Sequence, residues 1–426
     1  MSLKELYGSI LNEIANLPVI DTHEHMEDEE SRLKRPVDMF NTYLTHYASC
    51  DLISAGMADG DMAFLKGASE DIEKKWSIFR PYWEKARNTV YCKSLILATQ
   101  KIYGIEDIND GTYRLIDTEM RKKNQKGLYE YILKELCNIE ISILDSNVDC
   151  DRRYFISTER FDHFIRFKSR SAVTDMERRY NTSVNSLSDW VLLLKKAVAD
   201  CKAKHGIPCI KSGLAYERVL QYLRTDYSEA GKVFNRILSS HAYFGWNTFE
   251  PVDVNTKPLE DYMMHILVQT AAELELPIQF HTGLQEGNGN NITNSNPANL
   301  INLFMEYPNA RFDIFHGGYP YGGELCAIAK NFRNVYVDLC WSNIISREYT
   351  VRLIEELLDT VPSNKIFGFG GDYCFVEGVC GHLIIARENI ALALANKADK
   401  GYLSVSECID IAGRMLYGNA KEFFRL

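Results

Sequence analysis

Short apolar runs, too brief for helices and rich in Val, Ile, Phe and Tyr, recur at residues 17–21, 139–145, 154–157, 207–210, 276–280, 311–315, 334–339 and 365–369. A strand buried on both faces reads as such a continuous run, whereas a half-solvated strand alternates apolar with polar positions. Several runs end in a polar or ionisable residue. The pattern therefore predicts eight buried parallel strands, several of which deliver a polar side chain at their C-terminal ends.

Between several runs the apolar period lengthens to that of a helix. Such segments are 187–204, with Ser186 or Ser188 as N-cap, 259–275 after Pro258, 299–307, 323–331 and 347–360. Strand and helix alternating to a count of eight predict an α/β fold, a (β/α)8 TIM barrel. Two links depart from regularity. Residues 146–153 leave no room for a full helix, while residues 26–138 form a long insertion after strand one, helical in pattern at 61–66, 71–87, 93–103 and 117–136. Chain inserted after a barrel strand emerges on the C-terminal face, where barrel sites are built. Residues 1–426 are thus expected to form a single barrel, with 26–138 as a helical cap over its site. A Gly/Asn-rich loop, 285–297, directly follows strand five.

Composition narrows the function classes. With 46% hydrophobic and 25% charged residues over 426 positions, the chain has the balance of a globular protein with a large core. Its 48 Lys and Arg against 58 Asp and Glu give a formal charge of −10, and no basic run tracks a phosphate backbone, so no nucleic-acid partner is expected. Residues 1–16 lack the pattern of a signal peptide, and no run of about 18 uncharged apolar residues occurs, so a cytoplasmic protein with no membrane partner is expected. The eleven cysteines are odd in number and form no Cys-x-x-Cys pair, which fits reduced, mostly interior thiols. A small-molecule substrate is the expected partner, and association into a homo-oligomer stays open.

The chemistry lies at the strand ends. The sequence Val19-Ile-Asp-Thr-His-Glu-His25 sets His23 and His25 two residues apart, and alternation along a strand turns both toward the barrel axis, as two ligands of one metal ion require. Run five leads into His281, run six into His316, and run eight, through Phe367-Gly-Phe-Gly-Gly, into Asp372. Four of the ten histidines and a carboxylate thus fall where a barrel assembles its site. The other six, His46, His163, His205, His241, His265 and His382, lie in helical or loop patterns and read as structural or surface residues, His163 and His241 least firmly. Tyr319, Tyr321, Trp341 and Tyr373 follow strands six to eight and either pack structurally or wall a pocket.

The ordered set His23, His25, His281, His316 and Asp372 resembles the metal-dependent amidohydrolase superfamily, and residues 416–426 look like its closing helix. Two segments, Ile210-Lys-Ser-Gly-Leu-Ala-Tyr-Glu-Arg218 and His316-Gly-Gly-Tyr-Pro-Tyr321, resemble the amidohydrolase-2 branch, and within it the amidohydrolase-like half of glutamine-synthetase-like fusion proteins. The resemblance implies a divalent ion, Zn²⁺ by its imidazole and carboxylate donors, held by His23, His25, His281 and Asp372. Asp372 would also act as base, and His316 would polarise a substrate oxygen. One ion is favoured, with two if Lys211 is carboxylated. Lys211 has three readings: a carbamate ligand, a cation for a substrate carboxylate, or a solvated lysine. Arg218 and Tyr216 just beyond it are candidate substrate contacts, with a salt bridge as the equal alternative for Arg218. Hydrolysis of a small, carboxylate-bearing molecule is the first expectation. Metal-dependent decarboxylation, uronate-type isomerisation and a non-catalytic binding barrel are the alternatives.

Overall fold

The eight runs form eight strands: β1 (Val19–Glu24), β2 (Ile139–Asp145), β3 (Phe155–Arg160), β4 (Ile210–Ser212), β5 (Ile278–Phe280), β6 (Phe312–Ile314), β7 (Val335–Asp338) and β8 (Ile366–Phe367). The protein is described from a computed structural model covering residues 1–68, 71–145, 148–239 and 255–426. All strands are parallel and hydrogen-bonded in chain order from β1 to β8. The seam between β8 and β1 is stitched by Thr22 N donating to Phe369 O at 3.2 Å and Asp372 N donating to His23 O at 2.8 Å. This is the expected TIM barrel.

Proline sets where several strands begin. The runs at 17–21, 207–210 and 276–280 each contain a proline, Pro18, Pro208 or Pro277, which has no N–H for the ladder, so pairing starts beyond it. For β4 the shift matters most. Lys211 is not the residue after the strand, as expected, but its middle residue, paired with Arg160 on one side and Gln279 on the other.

The barrel helices follow their sequence patterns. Leu187–His205 is capped by Ser186, whose Oγ accepts from Asp189 N at 3.2 Å, and it stops at Gly206 with φ +63°. Lys257–Glu273, Ile301–Glu306, Gly322–Asn331 and Arg347–Thr360 supply further outer helices. Among the described residues no helix joins β2 to β3. The helix Val376–Asp399 is long and apolar enough to span a bilayer, yet 83% of its most apolar window is buried within the protein. Its Glu377 is fully buried and receives both Arg32 Nη1 and Nη2, at 2.9 and 2.5 Å.

Between β1 and β2 the chain is helical, at Glu29–Leu33, Met39–Tyr43, Ala48–Ser54, Asp59–Lys66, Ile72–Ala86, Val90–Tyr103 and Tyr113–Lys123, with a π-helical stretch at Glu130–Leu136. The first three are too short to show a period in the sequence. They carry Tyr47 onto the C-terminal mouth of the barrel, where its ring stacks on Trp341 at 4.6 Å.

Candidate functional site

His23 sits in β1 and His25 one residue past its end, and both reach the carboxylate of Asp372 in the loop after β8. That loop approaches β1 closely because it carries two glycines. A Cβ at Gly371 would fall 1.8 Å from Glu24 Oε1, and one at Gly370 2.5 Å from Thr22 Oγ1. Asp372 itself has φ +55°, a conformation that a non-glycine residue keeps only where its surroundings fix it. They do so from both sides: its N–H donates to His23 O at 2.8 Å, and its carbonyl accepts the Tyr47 hydroxyl at 2.6 Å.

The two carboxylate oxygens of Asp372 face different partners. Oδ1 lies 3.1 Å from His25 Nε2 and 3.7 Å from His23 Nε2, while Oδ2 lies 3.9 Å from His316 Nε2. Burial alone would raise this carboxyl's pKa, but the His25 hydrogen bond and the nearby imidazoles bring it well below the usual range. A second carboxylate, Asp145 at the end of β2, puts Oδ2 3.7 Å from both His23 Nε2 and His25 Nδ1. Arg160 of β3 clamps it, with Nε at 2.8 and 3.1 Å from its two oxygens. Burial would raise Asp145 too, yet the charges of His23, His25 and Arg160 lower it.

These residues fit a metal ion. Ligands about 2.0–2.2 Å from a tetrahedral zinc lie about 3.4 Å from one another; His23, His25 and Asp145 form one group with ligand spacing, with Asp145 Oδ2 3.7 Å from His23 Nε2 and from His25 Nδ1, while the other nitrogen of His25, Nε2, lies 3.1 Å from Asp372. Both ring nitrogens of His23 are buried without a hydrogen-bond partner, and burial holds the imidazole well below its ordinary pKa, in the neutral form that ligates metals.

A second conflict points the same way. His316 Nδ1 meets the carbonyl of Cys340 at 2.9 Å and His281 Nε2 meets that of Leu284 at 2.9 Å. Carbonyls only accept, so both of those nitrogens carry the proton of their ring. His281 Nδ1 and His316 Nε2 are then left facing each other, lone pair to lone pair, at 3.0 Å. A shared proton is disfavoured, because burial lowers both imidazoles, His316 to about 4. A cation drawn to the lone pairs and to Asp372 removes the conflict. Cys340 adds its sulfur to His316 and Asp372 in a buried group with ligand spacing, which sets it apart from the other interior thiols.

The expected site residues fare differently. His281 adjoins the site but turns its nitrogens to His316 and Leu284, not to the His23 and His25 pair. Lys211 is 2% exposed beneath the site, with its ammonium 3.5 Å from the Phe315 ring centre and no hydrogen bond among the described residues; burial lowers its pKa against the pull of Asp145 and Asp372. Tyr216 flanks the site with its ring 4.6 Å from that of His281, and its hydroxyl accepts from Glu286 N. The assignment of Arg218 to a substrate carboxylate is corrected. Its donors are consumed by Glu260 Oε2 at 2.7 Å, Asp261 Oδ1 at 2.6 Å and the carbonyls of Val219 and Gln221. Tyr319 packs on Tyr349 and Tyr321 bonds Ile292 O, whereas Trp341 lies edge-on to His316 at 5.0 Å and Tyr373 packs edge-on to Tyr47 at 5.1 Å, its carbonyl accepting from His25 N at 3.0 Å.

Sequence reasoning passed over Asp145, Arg160, Cys340, Tyr47 and His46. His46, expected to be structural or on the surface, is half-buried with a buried, unpartnered Nδ1 in the field of Asp372, and desolvation lowers its pKa to about 4. His163 packs between Phe161 and Phe164, and His382 Nδ1 bonds Gly371 O at 3.0 Å. His241 lies outside the described residues.

A family model described as amidohydrolase matches residues 247–426. The protein fluG of Emericella nidulans is 26% identical over 238 residues, covering 54% of this chain but only 27% of that protein. Among solved structures, a uronate isomerase from Thermotoga maritima superposes with a TM-score of 0.80 at 17% identity, over 99% of this chain and 97% of that one. A glucuronate isomerase from Caulobacter crescentus gives 0.78 at 15% identity, over 100% and 94%. A Lactobacillus casei protein described as a metal-dependent hydrolase gives 0.65 at 16%, over 97% and 96%. At these identities the structural likeness is one of fold.

Proposed function

We infer that this amidohydrolase-superfamily barrel is a metal-dependent hydrolase of a small polar molecule. The observation that carries the reading is the divided carboxylate of Asp372, with Oδ1 toward His23 and His25 and Oδ2 toward His316. One oxygen is thereby placed with the ligands and the other is free to take a proton. His23, His25 and Asp372, with Asp145 beside them, would hold a divalent ion, for which the nitrogen and oxygen donors favour zinc. Such an ion, when bound, acidifies water and polarises a carbonyl.

The chain's own groups do the rest. Asp372 Oδ2 takes the proton from the attacking water and returns it to the leaving group. Neutral His316, with Nδ1 tied to Cys340 O, presents the Nε2 lone pair toward His281 and 3.9 Å from Asp372 Oδ2, so it accepts rather than donates in that exchange. Lys211, buried and without a hydrogen-bond partner among the described residues, offers a positive charge to an oxyanion developing in front of Asp145 and Asp372. Tyr47 and Trp341, stacked over the mouth, keep bulk water out.

The test is Asp372→Asn. It should keep the fold and lose about 10²–10⁴-fold in turnover, the share general-base catalysis supplies. An unchanged rate would remove Asp372 from the chemistry.

A second reading is favoured by one observation. Both isomerase structures superpose with TM-scores of 0.80 and 0.78, against 0.65 for the hydrolase, each over nearly the whole chain. In that reading Asp372 Oδ2 moves a proton between neighbouring carbons of a sugar acid. Product mass separates the two, since hydrolysis adds the elements of water to the substrate and isomerisation of an open-chain sugar acid converts aldose to ketose with the mass unchanged.

A further inference from the structure

Between the barrel mouth and the helices above it lies a cavity of 410 Å³, walled on the barrel side by His25 and Cys374 and on the other by residues that include Arg35, Thr45 and Lys66. Its charges determine what it can hold. Arg35 gives Nε and Nη2 to a single oxygen of Glu27, at 2.8 and 2.5 Å, so that pair is neutral overall. Cys374 contributes a thiol to the wall. Lys66, in the last turn of Asp59–Lys66, has no carboxylate partner among the described residues, and its hydrogen bond to Ser49 Oγ is long at 3.4 Å. Lys66 lines the same pocket as His25 and Cys374. The pocket thus presents one uncompensated positive charge beside the candidate metal ligand His25.

We infer that this cavity selects small molecules bearing a single carboxylate, with Lys66 as the specificity-determining cation. That the opposite end of the ligand is the reacting one, set against His25 and Asp372, rests on the hydrolase reading above; the charge preference does not. A carboxylate matches one ammonium. A phosphate dianion would find half its charge unmatched and the Glu27 carboxylate nearby.

The experiment measures binding to the metal-replete protein with paired probes of one skeleton: N-acetylglycine against N-acetylglycinamide, D-gluconate against D-gluconamide, and glucose 6-phosphate as the phosphate arm. The carboxylates should bind about tenfold tighter than their neutral twins. Lys66→Met should abolish that preference and Lys66→Arg retain it. Lys66 is exposed, so metal content and Tm should be the same in all three proteins. Equal binding of charged and neutral twins, a preference that survives in Lys66→Met, binding by no carboxylate, or a greater Lys66 dependence for glucose 6-phosphate than for gluconate would each overturn the inference. A Lys66-dependent preference without turnover of any probe would uphold it and count against the hydrolase reading instead.

Discussion

Replacing Arg218 by Met separates a residue that binds substrate from one that holds the fold. Arg218 is 7% exposed and joins the turn after β4 to the helix Lys257–Glu273 through Glu260 and Asp261, both 2% exposed. Removing one partner of a buried ion pair costs about 3–5 kcal/mol when the other charge is left alone. Here it is not alone. Glu260 keeps Arg166 at 3.1 Å and the Thr256 hydroxyl at 2.6 Å, and Asp261 keeps Lys257 at 2.5 Å and Leu223 N at 3.1 Å. The retained partners bring the expected loss toward about 2–3 kcal/mol. Urea unfolding followed by tryptophan fluorescence reads it as a lower midpoint at constant slope. Adding Glu260→Gln and Asp261→Asn should not recover the loss, because those carboxylates still hold Arg166 and Lys257. KM should stay within about threefold of the wild type, a difference of under 1 kcal/mol. A change in stability below about 0.5 kcal/mol together with a large rise in KM would refute the structural role and return Arg218 to the substrate.

Tyr47→Phe removes the hydroxyl that pins the Asp372 carbonyl at 2.6 Å; it should cost about 1–3 kcal/mol in urea unfolding and about ten- to a hundredfold in kcat, with metal content intact. Asp162 tests burial through pH. Its carboxyl, raised to about 6 by burial against the pull of Gly213 N–H, Ser212 and Arg160, ionises more readily in the unfolded chain, near about 3.9. The folded state therefore loses stability as pH rises from about 4 to 6 and pays the full cost above that. Urea midpoints for Asp162→Asn should gain on the wild type across this window and hold the gain at higher pH, whereas a pH-independent difference would contradict the shift.

Much of the barrel was legible because buried parallel strands leave nearly unbroken apolar runs, and His23, His25, His281, His316 and Asp372 stood at their ends. What failed did so for physical reasons. A strand of three residues such as β4 has too few positions to fix its own phase, so Lys211 was placed one step outside it. The choice for Arg218 between a substrate carboxylate and a salt bridge stayed open in the sequence because its partners lie 42 and 43 residues further along the chain, on a helix whose packing the local pattern does not encode. Asp145 read as the polar end of a strand, and only the approach of β1 reveals it as a neighbour of His23 and His25. His46 and Tyr47 lie between short helices with no period of their own, and they gain meaning from the Asp372 loop 325 residues away. The relation of His281 to His316 depends on which nitrogen meets which carbonyl, something residue spacing does not carry.

The most direct test of the account is metal content by inductively coupled plasma mass spectrometry, measured on the purified wild type and on the His23→Ala/His25→Ala double variant after identical dialysis and zinc loading. The account predicts about one equivalent of bound zinc or more in the wild type, and loss of at least one equivalent in the variant while circular dichroism shows the barrel still folded. The same metal content in both proteins would contradict it, because the ion would then be held somewhere other than at His23, His25 and Asp372.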